Sequence, residues 1–202
     1  MTLMSKVVYI VDDDPAIRDS LTMLLDVHGY DVVSFVDGEA FLQSDMAAIT
    51  GPIMLDVRMP GRDGLQVLTE ALAELPRLQI IMMSGHGDIA MAVRALKKGA
   101  IDFIEKPFQA AEILRSIELG FSNMAVQTAP NIPAPVASAK LDKLTPRERE
   151  VMDHLVLGKP NKIIASDLGL SVRTVETHRA RLLSKLEIRS LSDLVRLSLA
   201  AQ

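Results

Sequence analysis

Apolar and polar positions in the first half of the chain follow two different periods. Short apolar runs, which are typical of buried strands, occupy residues 7–11, 31–35, 52–55, 79–83 and 102–105. Longer stretches with apolar residues at helical spacing predict helices over residues 16–28, 38–46, 64–75, 88–98 and 109–121. Strands that alternate with helices in this way predict an α/β domain, in which a five-stranded parallel sheet carries helices on both faces.

The pattern changes after about residue 122. Residues 128–138 carry three prolines and no charge, so a semi-rigid linker is expected here. The periodicity that follows is helical throughout, which predicts a small all-α domain. We therefore divide the chain into a first domain over residues 5–122, a linker over 123–139 and a second domain over 140–202.

Four helices are predicted in the second domain. The first begins with the capping box Thr145-Pro-Arg-Glu148, in which proline occupies the first helical position, and it should end near residue 157. The others cover residues 161–168, which end at Gly169, residues 172–185, which Ser171 caps, and a last helix that begins at Ser190 or Ser192.

The amino-acid composition excludes several kinds of site and several cellular locations. None of its 202 residues is cysteine, which excludes disulfides, zinc–thiolate sites and thiol catalysis and agrees with a reducing compartment. No apolar run is long enough to cross a membrane, and the first residues lack the pattern of a signal peptide. We therefore expect a soluble cytoplasmic protein with no membrane partner.

Charge is distributed unevenly between the two halves. Residues 1–122 contain 10 Lys and Arg against 18 Asp and Glu, whereas residues 123–202 contain 12 against 8. A basic second half suggests affinity for nucleic acid, although solvated charge scattered by chance would give the same numbers. Charge alone does not distinguish these alternatives, whereas the fold of the basic half can.

Polar residues follow four of the predicted strands at the point where each strand ends. Asp12 and Asp13 follow the first strand, Asp56 the third, Ser84 the fourth and Lys106 the fifth. Because ligands of open α/β sheets bind outside the carboxyl ends of the strands, these side chains are expected to meet at one edge. Carboxylates, a hydroxyl and an ammonium at one edge predict a site for a divalent metal ion and a phosphoryl group.

Each of these residue types has a role in phosphoryl chemistry. Magnesium prefers oxygen ligands, and a bound cation relieves the repulsion among closely packed carboxylates. A carboxylate placed at this edge can attack phosphorus and form an aspartyl phosphate. An ammonium such as Lys106 and a hydroxyl such as Ser84 can neutralise the phosphoryl oxygens during transfer.

The strand-end motifs resemble those of response-regulator receiver domains over residues 7–122. The resemblance rests on Val11-Asp-Asp13, Leu55-Asp-Val-Arg-Met-Pro-Gly61, Ser84-Gly-His-Gly87 and Phe103-Ile-Glu-Lys-Pro-Phe108. Among receivers, Gly85-His-Gly-Asp88 and Glu105-Lys-Pro-Phe108 resemble the FixJ type within the NarL group. The resemblance implies a flavodoxin-like, doubly wound sheet of strand order 2-1-3-4-5, and it favours a cis bond between Lys106 and Pro107.

The resemblance also implies a role for each residue of the site. Asp56 would accept the phosphoryl group, Ser84 and Lys106 would bind it, and Phe103 would turn inward when Ser84 moves. Ser84 stands where threonine is commoner in receivers, and it keeps the hydroxyl. Magnesium would be held by oxygen atoms of four residues: Asp12, Asp13, Asp56 and the backbone carbonyl of Arg58.

Two helices of the basic half have the shape of a helix-turn-helix, since residues 161–168 and 172–185 are joined by Gly169-Leu-Ser171. Lys and Arg side chains of such a motif contact phosphates, and the first turns of the second helix read base edges. From charge and periodicity alone, an ordinary helical hairpin with a solvated basic face is the alternative.

The basic half also resembles LuxR-type DNA-binding domains over about residues 140–200. The motifs that carry the resemblance are Leu144-Thr-Pro-Arg-Glu-Arg-Glu-Val151, Gly158-Lys-Pro-Asn-Lys162, Ile164-Ala165 and Leu170-Ser-Val-Arg-Thr-Val-Glu-Thr-His178. The resemblance implies a four-helix domain that places residues 172–185 in the major groove of double-stranded DNA. The candidate DNA contacts are Lys162, Arg173, Thr174, Glu176, Thr177, His178, Arg181 and Lys185.

Together the two halves predict a transcription regulator of a two-component system, which is not an enzyme for external substrates. A sensor histidine kinase would phosphorylate Asp56, and the modified chain would dimerise, bind inverted half-sites and act with RNA polymerase. Val93, Lys97 and Asp102 are candidates for the dimer face, although each could equally be solvated surface. We also hypothesise that the unphosphorylated first domain restrains the second.

Two other functions are compatible with parts of the pattern. A magnesium phosphohydrolase of the haloacid-dehalogenase type would carry a second aspartate two residues after its nucleophile, where this chain has Arg58. A DNA-binding or scaffold protein with a vestigial receiver would work without phosphorylation. The intact set of Asp13, Asp56, Ser84 and Lys106 speaks against that second alternative.

Overall fold

The described part of the chain divides into two units. The computed structural model describes residues 6–85, 89–126, 133–188 and 190–201. Residues 6–85 and 98–126 form the first unit, and residues 89–97, 133–188 and 190–201 form the second. A helix from the middle of the first predicted domain therefore belongs, by its contacts, to the second unit.

The first unit is built on a parallel five-stranded sheet. Its strands are β1 (Lys6–Val11), β2 (Tyr30–Phe35), β3 (Ile53–Asp56), β4 (Ile80–Ser84) and β5 (Asp102–Glu105). They lie in the order β2-β1-β3-β4-β5, and every neighbouring pair is parallel. The predicted sheet and its strand order are confirmed, with strand ends that differ from the predicted ones by one residue or none.

The central strands are buried on both faces, which explains their unbroken apolar sequence. Ile10, Met54 and Ile81 of one face are fully buried, and so are their neighbours on the other face, such as Leu55 and Met82. The first of these faces packs against the two helices α1 (Pro15–Val27) and α5 (Ala110–Val126), whose contributions to the shared core are Leu21, Leu25, Ile113 and Ile117.

Two further helices of the first unit are α2 (Gly38–Leu42) and α3 (Gly64–Glu74). The helix predicted over residues 38–46 is shorter than expected and is followed by a separate 3-10 turn at Met46–Ala48. Ser44 explains the early end, because its hydroxyl donates to the carbonyl of Phe41 at 2.6 Å and competes with the helical hydrogen bonds.

The second unit is helical. It contains α4 (Ile89–Lys97), α6 (Ala134–Leu141), α7 (Pro146–Val156), α8 (Asn161–Leu168), α9 (Val172–Leu186) and α10 (Leu191–Ala200). The capping box at Thr145 is present, Ser171 and Ser190 cap α9 and α10, and Gly169 ends α8 in the left-handed conformation. The four predicted helices α7 to α10 are confirmed.

The predicted linker differs from the structure at both of its ends. Helix α5 continues to Val126, and α6 begins at Ala134, so the described residues of 123–139 are largely helical. Residues 127–132 lie outside the described part. Pro135 lies in the first turn of α6, where no amide hydrogen is needed, and three alanines follow or precede it, so this proline-containing segment can form a helix.

Helix α4 packs within the second unit against α10. Val93 and Leu96 of α4 form one buried cluster with Val195 of α10, and Leu191 packs against it. Gly158, at the end of α7, lies so close that a Cβ atom there would meet the Cα of Ala90 at 2.5 Å. The core of the unit lies between α6, α7, α8, α9 and α10, with Val151, Leu155, Ile164, Val175 and Leu194 fully buried.

Candidate functional site

The carboxyl ends of β1, β3, β4 and β5 meet at one edge of the sheet. Asp56 is in register with Met83, the residue before Ser84, and Ser84 is in register with Glu105. The backbone amide of Lys106 donates to the carbonyl of Ser84 at 2.7 Å, and the bond from Lys106 to Pro107 is cis, as the sequence favoured. Residues that are distant in sequence therefore come together as predicted.

Lys106 joins two carboxylates at this edge. Its Nζ donates to Oδ2 of Asp12 at 2.7 Å and to Oδ1 of Asp56 at 2.6 Å. Both carboxylates are nearly buried, with 1% of Asp12 and 5% of Asp56 exposed, while the Lys106 side chain is 17% exposed. One cation thus faces two buried anions.

The remaining oxygen of each carboxylate accepts a backbone hydrogen bond from two residues further along the chain. Oδ1 of Asp12 accepts from the amide of Asp14 at 3.0 Å, and Oδ2 of Asp56 accepts from the amide of Arg58 at 2.7 Å. Both loops use the same local turn, in which an aspartate side chain binds its own backbone. All four oxygens therefore have a donor, and both carboxylates are held in a fixed orientation.

Burial and hydrogen bonding set the pKa values at this edge. Burial raises the pKa of Asp56, and the hydrogen bond from Lys106 offsets this effect only in part. Burial alone would lower the pKa of Lys106, but its hydrogen bonds to Asp12 and Asp56 raise it by more. The ammonium therefore stays charged at neutral pH.

The other predicted site residues lie around this group. Ser84 is buried at the end of β4, the side chain of Asp13 is exposed, and Phe103 is half-buried on β5. Arg58 turns its side chain to solvent while its amide holds Asp56. His86, Gly87 and Asp88 of the predicted motif lie outside the described residues.

Metal binding has a partial basis in this geometry. Among the described residues, no group of three or more His, Cys, Asp or Glu side chains is gathered closely enough to hold a metal ion. The buried pair Asp12 and Asp56, with exposed Asp13 beside it, nevertheless offers oxygen atoms of the kind that Mg²⁺ prefers. Magnesium is commonly held by one or two carboxylates together with water and phosphate oxygens, so this donor set fits that ion.

Sequence reasoning did not find Arg18. Its Nη1 atom donates to the backbone carbonyl of Asp12 at 2.7 Å and so fixes the end of β1 from helix α1. The signal in the sequence is weak, because an arginine one turn into an amphipathic helix is usually solvated.

A second candidate surface lies on α8 and α9. Five of the predicted DNA contacts on α9 are exposed: Arg173, Glu176, Thr177, Arg181 and Lys185. Lys162 of α8 is exposed as well. Thr174 and His178 are half-buried, and the hydroxyl of Thr174 shares a 2.8 Å hydrogen bond with Ser171 at the cap of the helix. The exposed set forms an outward face with two arginines, opposite to Val175, Leu182 and Leu186 of the core.

Lys185 has a different environment from the other predicted contacts. Its Nζ donates to Oε2 of Glu148 on α7 at 2.7 Å, and Glu148 is only 3% exposed. Sequence reasoning identified Glu148 as part of a capping box and did not find this second partner.

The predicted dimer-face residues are placed in three different environments. Lys97 is exposed on α4, and Val93 is buried against Val195. Asp102 is 2% exposed, and its Oδ2 accepts a 2.6 Å hydrogen bond from Ser116 of α5. The interpretation as possible solvated surface is therefore wrong for Val93 and Asp102, because Val93 packs against α10 and the side chain of Asp102 points to α5.

Comparisons with known proteins give a matching family for each half of the chain. Residues 8–118 match the family described as response regulator receiver domain, and residues 142–198 match bacterial regulatory proteins of the luxR family. The chain is 41% identical over 194 residues to the transcriptional regulatory protein FixJ of Bradyrhizobium diazoefficiens, covering 96% of this chain and 95% of that protein. It is 39% identical to the transcriptional regulatory protein TdiR of Thauera aromatica, covering 93% and 83%.

Solved structures give the same result. The crystal structure of full-length FixJ from B. japonicum matches with a TM-score of 0.57 at 41% identity and covers 97% of both chains. The structure of the response regulator StyR matches with a TM-score of 0.57 at 36% identity, covering 96% of this chain and 98% of that one. Among the described residues, no helix has the length and apolar character that crossing a membrane requires.

Proposed function

This chain belongs to the response regulators of the NarL/FixJ type, and from that premise we propose that Asp56 accepts a phosphoryl group from a sensor histidine kinase. The observation that carries the proposal is the pairing of Asp56 with Lys106 at 2.6 Å inside a buried strand-end site. As a two-component transcriptional regulator, the chain combines this receiver with a LuxR-type DNA-binding domain.

The chemistry is a transfer between two nucleophiles. A carboxylate oxygen of Asp56 forms a bond to phosphorus, the bond from phosphorus to the donor's imidazole nitrogen breaks, and that nitrogen keeps the electron pair. Lys106 neutralises charge on the phosphoryl oxygens, and Ser84, at the end of the neighbouring strand, donates its hydroxyl to one of them. The chain would form and hydrolyse only its own aspartyl phosphate. We therefore do not propose an enzyme that acts on external substrates.

The acidic residues of the site would hold Mg²⁺ through oxygen atoms of Asp12, Asp13, Asp56 and the carbonyl of Arg58. When bound, the ion supplies positive charge that offsets the repulsion between Asp56 and an incoming phosphoryl group. The amide of Asp14 holds the Asp12 carboxylate in one orientation.

Phosphorylation would change the hydrogen bonds of Lys106. The ammonium now holds two carboxylates, and phosphoryl oxygens on Asp56 would replace one of these acceptors. Ser84 and Phe103 would respond to the new group and alter the surface on which two copies dimerise. Lys97 is the exposed candidate on that surface.

The second domain would then bind DNA as a dimer. The outward face of α9 carries Arg173 and Arg181 for phosphates, while Glu176 and Thr177 face the base edges. Two copies would place their α9 helices about one DNA turn apart on inverted half-sites, from which RNA polymerase is recruited.

The packing of α4 supports the hypothesis that the resting chain is restrained. Helix α4 lies in the receiver sequence, yet Val93 and Leu96 pack against Val195 of α10. Restraint would therefore act by holding α4 against α10.

The two other functions are less well supported. A haloacid-dehalogenase-type phosphohydrolase needs an acid at position 58, where this chain has an arginine with an exposed side chain, whose amide donates to Asp56. A vestigial receiver would have no reason to keep Asp12, Asp56 and Lys106 in one buried hydrogen-bonded group.

The proposal is tested with the full-length chain and the variant Asp56→Asn. We expect acetyl phosphate with Mg²⁺ to add one phosphoryl group to the wild type, detected by intact mass, and none to the variant. Beryllofluoride should convert the wild type to a dimer in sedimentation and increase DNA binding, while Asp56→Asn responds to neither. Equal labelling of both proteins would overturn the assignment of Asp56, and labelling without any change in association or DNA binding would favour the vestigial receiver.

A further inference from the structure

Two consecutive residues in the first turn of α7 hold the last turns of both helices of the helix-turn-helix. Arg147 donates from Nη2 to the carbonyl of Leu168, the last residue of α8, at 2.6 Å. Glu148 accepts at 2.7 Å from Lys185, which lies in the last turn of α9. The start of α7 therefore contacts the ends of α8 and α9 through a single dipeptide.

One carboxylate oxygen of Glu148 accepts two hydrogen bonds that have different structural roles. Its Oε2 accepts from the amide of Thr145 at 2.9 Å, which completes the capping box of α7, and it also accepts from Nζ of Lys185. Burial alone would raise the pKa of Glu148, but the hydrogen bonds from Lys185 and Thr145 lower it to about 2. The carboxylate is thus charged at neutral pH, and its side chain is 4% exposed.

A buried carboxylate depends strongly on its cation. If Lys185 moved its ammonium to a DNA phosphate, Glu148 would be left charged and buried without its ionic partner, which is a costly state. Arg181, one turn earlier on α9, is exposed as Lys185 is, but it forms no ion pair among the residues that the structure describes. The two basic residues therefore differ in function although both lie on the same helix.

We infer that Lys185 is a positioning residue, which fixes the orientation of α9 through Glu148, and that it does not neutralise a DNA phosphate. This inference rests on the proposed DNA-binding function and refines it. The apolar residues Val175, Leu182 and Leu186 hold α9 against the core, and the ion pair fixes its last turn against α7. Arg173 and Thr177 on the outward face are thereby held at a set angle.

The inference is tested by the salt dependence of DNA binding. Full-length protein with Mg²⁺ and beryllofluoride is titrated onto a mixed-sequence DNA duplex at several salt concentrations, as wild type, Lys185→Met and Arg181→Met. Each phosphate contact contributes about 0.9 to the slope of log affinity against log salt. We expect Arg181→Met to lose about that much slope, while Lys185→Met keeps the wild-type slope and lowers affinity by a similar factor at every salt concentration.

A double-mutant cycle in urea unfolding tests the ion pair itself. Lys185→Met should lower the unfolding midpoint, and Glu148→Gln combined with Lys185→Met should recover most of that loss, because no buried charge is then unpaired. Losses that simply add in the double variant would overturn the inference. So would a slope that falls by about 0.9 in Lys185→Met with an unchanged unfolding midpoint.

A wild type that binds the duplex without salt dependence would overturn the proposed function, which is a separate and distinguishable outcome.

Discussion

Nζ of Lys106 lies 2.6 Å from Oδ1 of Asp56, although 50 positions separate the two residues in the chain. The same ammonium holds Asp12 at 2.7 Å, so one side chain compensates two carboxylates that have almost no contact with solvent. The stability of the receiver and the phosphorylation proposed for Asp56 therefore depend on the same atoms.

Replacing Lys106 by methionine should destabilise the receiver at neutral pH. Two buried carboxylates would lose their cation, which typically costs about 3–5 kcal/mol. The pKa of Asp56, which burial already raises, would rise further without Lys106, so the deficit should shrink at acidic pH as Asp56 takes up a proton. Urea unfolding at both pH values measures this, with exposed Lys97→Met as the control; a deficit that does not depend on pH would contradict the explanation.

Replacing Asp56 by asparagine should stabilise the fold near neutral pH. Because burial raises the pKa of Asp56 above 3.8, the folded state holds more protons than the unfolded state, and stability falls as the pH rises through that interval. Asparagine does not titrate, so we expect a gain in the free energy of unfolding at neutral pH that vanishes below about pH 4. The helix cap Asp14→Asn, which asparagine fills equally well, is the matched control in thermal unfolding.

Ser116 should be needed to keep Asp102 buried. Its hydroxyl donates to Oδ2 of Asp102 at 2.6 Å, and both residues are inaccessible to solvent. Ser116→Ala would remove that donor, and we expect a loss of about 1–3 kcal/mol in the free energy of unfolding. Ser20→Ala on the exposed face of α1 should change stability far less. Equal stability of the two variants would show that Asp102 does not depend on this hydroxyl.

Gly158 should be required for the packing of α4. A methyl group there would lie 2.5 Å from the Cα of Ala90, and the φ of +80° already disfavours other residues. We expect Gly158→Ala to increase amide hydrogen exchange over residues 89–97 and to raise DNA binding by the unphosphorylated chain. Gly169→Ala has a similar φ of +63° with no atom within 4 Å of the added methyl, so it controls for backbone strain. If both variants exchange alike over residues 89–97, the close contact with Ala90 is not what holds α4.

The stabilisation that Glu148 provides should depend on pH in a defined window. Its pKa is about 2 in the fold against an ordinary value of 4.5, so its contribution is complete above about pH 4.5 and is lost as the pH falls towards 2. The difference in unfolding free energy between wild type and Glu148→Gln should follow this curve. Glu176→Gln, at an exposed position of α9, is the matched control for the same substitution.

Much of the fold and of the phosphoryl site could be predicted because both depend on local patterns. Parallel strands have their carboxyl ends at one edge, so Asp12, Asp56, Ser84 and Lys106 had to converge once the strands were recognised. The caps at Thr145 and Ser171 were likewise visible, since a capping hydrogen bond spans three residues.

Other features depend on contacts that leave no local pattern. The pair Glu148 and Lys185 spans 37 positions, and either residue alone looks like an ordinary solvated charge. The buried side chain of Asp102 was equally hidden, because a charged residue at the start of a short strand is usually exposed. The packing of α4 could not be predicted, since its apolar face suits a sheet and a helical partner equally.

The contacts made by the first turn of α7 affect how a regulator of this kind can come to recognise new operators. Arg147 and Glu148 hold the ends of α8 and α9, while Arg173, Glu176 and Thr177 are exposed on another part of α9. Mutation can therefore exchange these exposed residues one at a time while the contacts that orient α8 and α9 remain. Gene duplicates of this architecture can diverge in the operators they recognise while they keep these contacts and the phosphorylation proposed for Asp56.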